Sequence, residues 1–295
     1  MASGVSWLNP LTWPIEPWVL LGIEVTAILY LWGGRRKIPS SARGGGSGLG
    51  RWRAVAFWSG LGVIVLAVDT PLEALARQLF WAHMTQHLLL IMVAAPLLVV
   101  GAPWLQVWRG LPLALRRPLA RTVVRHQALA VPRRAFRWLS APIGAFIMST
   151  ANLWFWHWPA AYNLTLSNHL VHHLEHALFL GLGILFWAQV IDQHPFHARL
   201  GSLQRAVYVF LGTIQAWALA AVLAFATVPY YAYALLPTRP GSISALTDQQ
   251  VGAGIMWVPG SITFSIVFLS CLYLWFREED VRGRSFNPQP VELAK

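Results

Sequence analysis

Long apolar runs, separated by shorter polar connections, dominate the sequence. A helix needs about 20 residues to cross the hydrocarbon layer of a membrane, and seven of these runs approach that length. Lipid cannot satisfy free backbone groups, so such runs are expected to form helices, and the alternation typical of barrel strands is not seen. The pattern predicts an all-α, polytopic membrane helix bundle with seven transmembrane helices, at roughly 17–33, 54–69, 80–100, 140–157, 169–191, 205–226 and 252–276.

Positive charges are distributed unequally between the connections. Of the 22 Lys and Arg residues, all but Arg77 and Arg239 fall on one side of the seven crossings. Lys and Arg are enriched in cytoplasmic loops, so this asymmetry predicts that the N-terminus is outside and the C-terminus cytoplasmic. The net charge of +11 is then a topology signal and an attraction to the lipid bilayer, and no nucleic-acid partner is expected.

The connections divide the chain without creating a second domain. We expect residues 1–276 to form a single seven-helix membrane domain, followed by a cytoplasmic tail at 277–295. Residues 34–53 are read as a basic, Gly/Ser-rich cytoplasmic linker. The basic loop 101–138 is interrupted by prolines, and we expect it to include an amphipathic stretch on the cytoplasmic leaflet or a docking surface for a partner.

Composition agrees with a lipid environment. Of the 295 residues, 56% are apolar and only 11% are charged, whereas soluble domains carry about a quarter charged residues. A water-soluble enzyme and a disordered chain are both excluded on this basis. Cys271 is the single cysteine, which excludes an intrachain disulfide and any CxxC metal or redox site.

The distribution of the ten histidines is the most informative chemical feature. His126, His194 and His197 fall in predicted cytoplasmic connections. The other seven lie at or near the predicted outer ends of spans three, four and five, so three helices bring imidazoles to one depth on one side. These seven are His83, His87, His157, His169, His172, His173 and His176.

Helical geometry places these side chains on common faces. His83 and His87 are one turn apart, with about 5–6 Å between their Cβ atoms. At about 100° per residue, the four histidines of span five fall within an arc of roughly 100°. Two histidine pairs with i,i+4 spacing are therefore expected to face each other across two helices.

Imidazoles suit copper, zinc, iron and nickel, and Met84 adds a soft thioether, although it projects about 100° away from His83. A single histidine inside a membrane is often only a polar link between helices, but the set favours a metal site. Nearby carboxylates are expected to orient or gate that site, or to carry protons. They are Glu24, Glu175, Asp69 and Asp248. For Glu24 a proton relay and a buried hydrogen-bond partner both stay open.

Three motifs together resemble the caa3-type cytochrome c oxidase assembly factor family known as CtaG. The first is Thr70-Pro71-Leu72 followed by HMTQHLLLIMVAAPLLVVGAP at 83–103. The second is WFWHWPAAY at 154–162 with HHLEHALFLGLGILFW at 172–187, and the third is DQQVGAGIMWVPG at 248–260. The motifs cover nearly all of the membrane region, in a specific order and spacing.

The resemblance implies a multi-pass protein of the bacterial plasma membrane that is needed to make active caa3-type oxidase, without catalytic turnover of its own. It implies a cytochrome c oxidase subunit as partner, with subunit I and its CuB site expected, and delivery of copper from a possible external donor. The family's histidine motifs fall on His83, His87, His157, His172 and His176, and include Glu175. His169 and His173 are added from helical geometry alone.

Other functional classes fit the sequence less well. A retinal protein needs a lysine inside the membrane, and Lys37 and Lys295 lie outside the predicted spans. An HExxH protease motif is missing from the sequence. A channel or proton-coupled transporter stays open through Glu24 and Glu175, although broken helices and inverted repeats are not evident. The main alternative is a membrane electron carrier that binds haem b between two histidines, although seven clustered histidines exceed the two that one haem needs.

Overall fold

A computed structural model describes residues 16–35, 47–193, 198–236, 240 and 243–286 of the chain. Within these ranges the protein is helical, as predicted. The α-helices are α1 (Pro17–Arg35), α2 (Ser47–Val68), α3 (Pro71–Ala76), α4 (Phe80–Leu88), α5 (Ala95–Gly101), α6 (Trp104–Gly110), α7 (Leu113–Arg125), α8 (Ala130–Leu139), α9 (Pro142–Trp156), α10 (Pro159–Ser167), α11 (His169–Trp187), α12 (Ser202–Ala224) and α13 (Ala245–Phe286).

Six helices among the described residues are long and apolar enough to cross a membrane. They are α1, α2, the continuous helix Phe80–Gly101 that contains α4 and α5, α11, α12 and α13. The predicted fourth span, 140–157, forms α9, whose 15 residues extend about 22 Å and fall short of that length. A multi-pass membrane protein is therefore confirmed, while seven crossings and the orientation of the termini stay predictions.

Several predicted boundaries move. Helix α2 begins at Ser47, so the end of the predicted linker 34–53 is helical. With these residues α2 reaches 22 residues, and a helix needs about 20 to cross the hydrocarbon layer. Residues 36–46 lie outside the described residues. Helix α13 has 42 residues and continues into the predicted tail 277–295 as far as Phe286.

The predicted basic loop 101–138 contains three helices, α6, α7 and α8. Neither α7 nor α8 buries a residue, and both carry arginines beside exposed apolar side chains. The two helices follow the C-terminal end of Phe80–Gly101, so they lie at the end of the bundle opposite His83. Their contact with a lipid leaflet or with a partner stays a prediction.

A proline inside a spanning helix determines how the centre of the bundle is connected. Between α4 and α5 the chain makes a π-helical turn, Leu89–Ala94, and Pro96 follows it without an N–H to donate. The missing N–H removes one helical donor next to the carbonyls of Ile91 and Met92, which lie five and four residues earlier, where the π turn shifts the hydrogen-bond register. Trp187 Nε1 donates to the Ile91 oxygen at 2.8 Å, and Thr263 Oγ1 donates to the Met92 oxygen at 3.1 Å. Helices α11 and α13 are thereby held to the kinked helix.

Side-chain hydrogen bonds cap the N-terminal ends of α11 and α4. The Asn168 side chain accepts hydrogen bonds from the first turn of α11. The Asp248 carboxylate of α13 accepts from the backbone N–H groups of Phe80 and Trp81, at 2.8 and 3.0 Å, and so caps α4. Gly252 lets the two helices approach closely, because a Cβ there would overlap the ring of Phe80.

Replacing Thr263 with valine is expected to destabilise the protein by about 1 kcal/mol, because the Met92 carbonyl would lose its donor in a site of unchanged shape. Unfolding of the detergent-purified protein by denaturant measures this change.

Thr26→Val is the matched control, since the Thr26 hydroxyl bonds only to the Gly22 carbonyl of its own helix. Equal loss of stability in both variants would contradict the proposed role of Thr263.

Candidate metal centre

Four histidines and one glutamate meet between α4 and the N-terminal half of α11. His83 and His87 come from α4, and His172, Glu175 and His176 come from α11. All five side chains are buried, and Glu175 has no exposed surface at all. The structure thus brings both histidine pairs together between α4 and α11.

The nitrogens of α4 surround the carboxylate. His83 Nε2 lies 3.0 Å from His87 Nε2. Glu175 Oε2 lies 3.3 Å from His83 Nε2, and Glu175 Oε1 lies 3.4 Å from His87 Nε2. With His176 included, one ligand atom of each of the four residues lies within 4.8 Å of the others. Tetrahedral ligands at about 2.1 Å from an ion stand about 3.4 Å apart, so the four residues fit one ion after small side-chain movements.

Hydrogen bonds around Tyr233 determine which nitrogen of His83 carries a proton. The Tyr233 hydroxyl donates to the Ala76 carbonyl at 2.6 Å, so toward His83 it accepts. His83 Nδ1, 3.3 Å away, is then the donor, and His83 Nε2 presents a lone pair to the cluster. That lone pair faces both His87 Nε2 and a carboxylate oxygen. Either a proton carried on Nε2 of the neutral His87 ring or a bound metal ion between these atoms removes the repulsion.

Several polar atoms of this cluster have no hydrogen-bond partner among the described residues. Buried groups normally have one, and the cost of leaving one unpaired is about 1–3 kcal/mol. Unpaired atoms concentrated in one place therefore make the cluster a candidate ligand-binding site. The four atoms are His87 Nδ1, His172 Nε2, His176 Nε2 and Glu175 Oε1.

A second carboxylate, Glu73 of α3, was missed by the sequence analysis. It is 1% exposed and lies 3.5 Å from His172 Nδ1, and with His172 and His176 it forms a second group of possible ligands. Gln86 and Arg77 donate to it at 2.7 and 3.1 Å. Burial favours the neutral acid, but His172, Gln86 and Arg77 outweigh it and hold the pKa of Glu73 below its ordinary value. Its position directly after the Thr70-Pro71-Leu72 motif was the available signal.

Nearer the surface, His169 and His173 surround a third carboxylate, Glu16, which the sequence analysis also missed. His173 Nε2 lies 3.6 Å from Glu16 Oε2. The Arg77 guanidinium lies 3.8 Å from Glu16 and 3.2 Å from His169 Nε2. Arg77 also contacts Glu73, so it lies between this outer group and the buried cluster. Its guanidinium already supplies a positive charge to the outer group.

His157 and Met84 lie beside the cluster rather than within it. The His157 ring centroid is 6.2 Å from that of His87, and His157 Nε2 is 3.3 Å from Met84 Sδ. Both residues line a cavity of about 90 Å³ whose wall is mostly apolar. His157 was expected among the metal ligands; the structure places it beside the α4 histidines, with its Nε2 against sulfur, and its role in metal binding stays a prediction.

The remaining predicted carboxylates do not join the cluster. Glu24 is exposed on α1. Asp248 caps α4, as described above. Asp69 is buried and accepts from the Glu16 N–H at 2.8 Å, and burial raises its pKa. His194, His197 and Arg239 lie outside the described residues.

Comparison with known proteins agrees with this architecture. The model of the cytochrome c oxidase caa3 assembly factor family (Caa3_CtaG) matches residues 28–278, so the chain belongs to that family and the resemblance noted in its motifs is confirmed. No solved structure matches the chain.

The curated relatives include uncharacterized proteins of Mycobacterium bovis and Mycobacterium tuberculosis, each 26% identical over 237 residues. An uncharacterized protein of Mycobacterium leprae is 25% identical over 248 residues. These matches cover 77% of this chain but 34% of each relative, so the chain spans about a third of the length of the curated relatives it matches.

Glu175→Gln is expected to weaken binding of Zn²⁺, used as a probe, by at least about 10- to 100-fold, because the amide keeps the shape but loses the charge and one ligand oxygen. Calorimetric titration of the detergent-purified protein measures the affinity.

The matched control is Glu24→Gln, which changes an exposed carboxylate on α1 and is expected to leave the affinity unchanged. An unchanged affinity in Glu175→Gln, or an equal loss in Glu24→Gln, would contradict the assignment.

Proposed function

We propose that this protein takes up copper at the outer face of a bacterial plasma membrane and passes it to a caa3-type cytochrome c oxidase during assembly. The buried set His83, His87, Glu175 and His176 binds the ion. The observation that carries the proposal is the convergence of these four ligands within 4.8 Å, in a place where buried nitrogens have no other partner.

The chemistry of the ligands supports copper as the cargo. Imidazole is a good ligand for copper, and the thioether of Met84 nearby favours copper in its reduced form. Membership of an oxidase assembly family supplies the recipient class, an enzyme that needs copper. The expected recipient is the CuB site of subunit I, which is itself built from histidines. Transfer between similar ligands is then close to balanced in free energy, so the ion can leave as well as arrive.

The charges of the cluster support uptake of a bare cation. A charge inside a membrane is costly, and such groups normally pair or mark a path for an ion. Glu175 supplies a negative charge at the centre, and Glu73 supplies another beside His172. A copper ion bound between them is neutralised locally, without an accompanying anion.

The geometry favours a small ion over a porphyrin. Bis-histidine haem needs two nitrogens on opposite faces of a wide, flat ring. His83 Nε2 and His87 Nε2 are 3.0 Å apart, and the adjoining cavity is about 90 Å³. These dimensions support an assembly role, without catalytic turnover, over the alternative of a haem-binding electron carrier.

Replacing both His172 and His176 with alanine is expected to abolish oxidase activity in cells and to remove copper from the oxidase, because the ion loses α11 imidazoles from both ligand groups. The level of the variant in the membrane should stay the same. Activity, oxidase copper content and immunoblots measure these outcomes.

His126→Ala removes an exposed histidine at the opposite end of the bundle and serves as the control. Full copper loading of the oxidase in the double variant would show that the site assignment is wrong.

A further inference from the structure

Met84 and His157 form a contact that ordinary hydrogen bonding does not explain. His157 Nδ1 lies 2.7 Å from the Leu153 carbonyl oxygen, which can only accept, so this nitrogen carries the proton of the neutral ring. His157 Nε2 is then a lone-pair donor. It points at Met84 Sδ, 3.3 Å away, which has no proton to give. Two electron-pair donors therefore face each other inside the protein.

His87 brings a third donor to the same place. Its Nε2 belongs to the cluster with His83 and Glu175, whereas its Nδ1 is buried and has no partner among the described residues. His87, Met84 and His157 all line the cavity of about 90 Å³. His87 therefore borders two groups of ligands, one of imidazole and carboxylate and the other of imidazole and thioether.

These two groups differ in the metal that they prefer. Carboxylate and imidazole suit divalent ions such as Zn²⁺, whereas a thioether with imidazole selects Cu(I). Neither Met84 nor His157 carries a charge, so a monovalent ion there meets a softer and less anionic environment than it meets beside Glu175.

We propose that Met84, His157 and His87 form a second, Cu(I)-selective position, onto which the cargo ion moves from the buried cluster before it leaves the protein. The proposal rests on the proposed function. The step is ligand exchange: bonds to His83, Glu175, His176 and His87 Nε2 break, and bonds to Met84, His157 and His87 Nδ1 form. The proton of the neutral His87 ring moves from Nδ1 to Nε2, and copper stays Cu(I). Because both positions share His87, one ion occupies one or the other.

X-ray absorption of the detergent-purified protein, loaded anaerobically with Cu(I), tests this proposal. The wild type is expected to show sulfur among the copper ligands, and Met84→Leu is expected to lose that sulfur. The variant should still bind copper through the cluster, with an affinity lower by about tenfold, which corresponds to about 1.4 kcal/mol. Zn²⁺-loaded protein should show only nitrogen and oxygen ligands.

Met92→Leu is the matched control, because Met92 lines the same cavity about 12 Å farther along the helix. It should keep the sulfur signal. Copper bound without sulfur in the wild type, or a sulfur signal that survives in Met84→Leu, would overturn the second position and leave the proposed function standing. No copper bound by the wild type would overturn both.

Discussion

The structure depends on a carboxylate, Glu175, that is fully buried at the end of a membrane helix bundle. A negative charge in such a place must be matched by positive charge or by hydrogen-bond donors. His83 and His87 provide the nearest partners, and His172 and His176 flank it on its own helix. This requirement joins α4 to α11, and it gathers four histidines around one carboxylate.

The surrounding helices hold this cluster in position from both sides. At the N-terminal end of α4, Asp248 caps the first turn and the Tyr233 hydroxyl accepts a hydrogen bond from His83. Near the π turn that precedes Pro96, Trp187 and Thr263 donate to the carbonyls of Ile91 and Met92, so α11 and α13 are bound to the same kinked helix. The ligand-bearing turns of α4 and α11 are therefore placed by polar contacts at two depths, and apolar packing fills the space between them.

Much of this arrangement could be predicted from the sequence. The lengths of the apolar runs give the spanning helices, and i,i+4 spacing gives the two histidine pairs, because both depend only on helical geometry. Glu73 was missed because it lies in a six-residue helix, which is too short to show a periodic pattern. Glu24 is exposed although it lies in a predicted span, because the direction that α1 presents to the bundle depends on tertiary packing. Met84 points away from His83, as the helical wheel indicates, but its partner His157 comes from a distant helix.

The central claim is that the cluster binds copper. Elemental analysis and a visible spectrum of the detergent-purified protein, before and after anaerobic loading with Cu(I), test it most directly. The account predicts about one copper per chain and no Soret band. A Soret band would support the haem-binding alternative, and protein that binds neither copper nor haem would contradict the account and leave a scaffold for oxidase assembly.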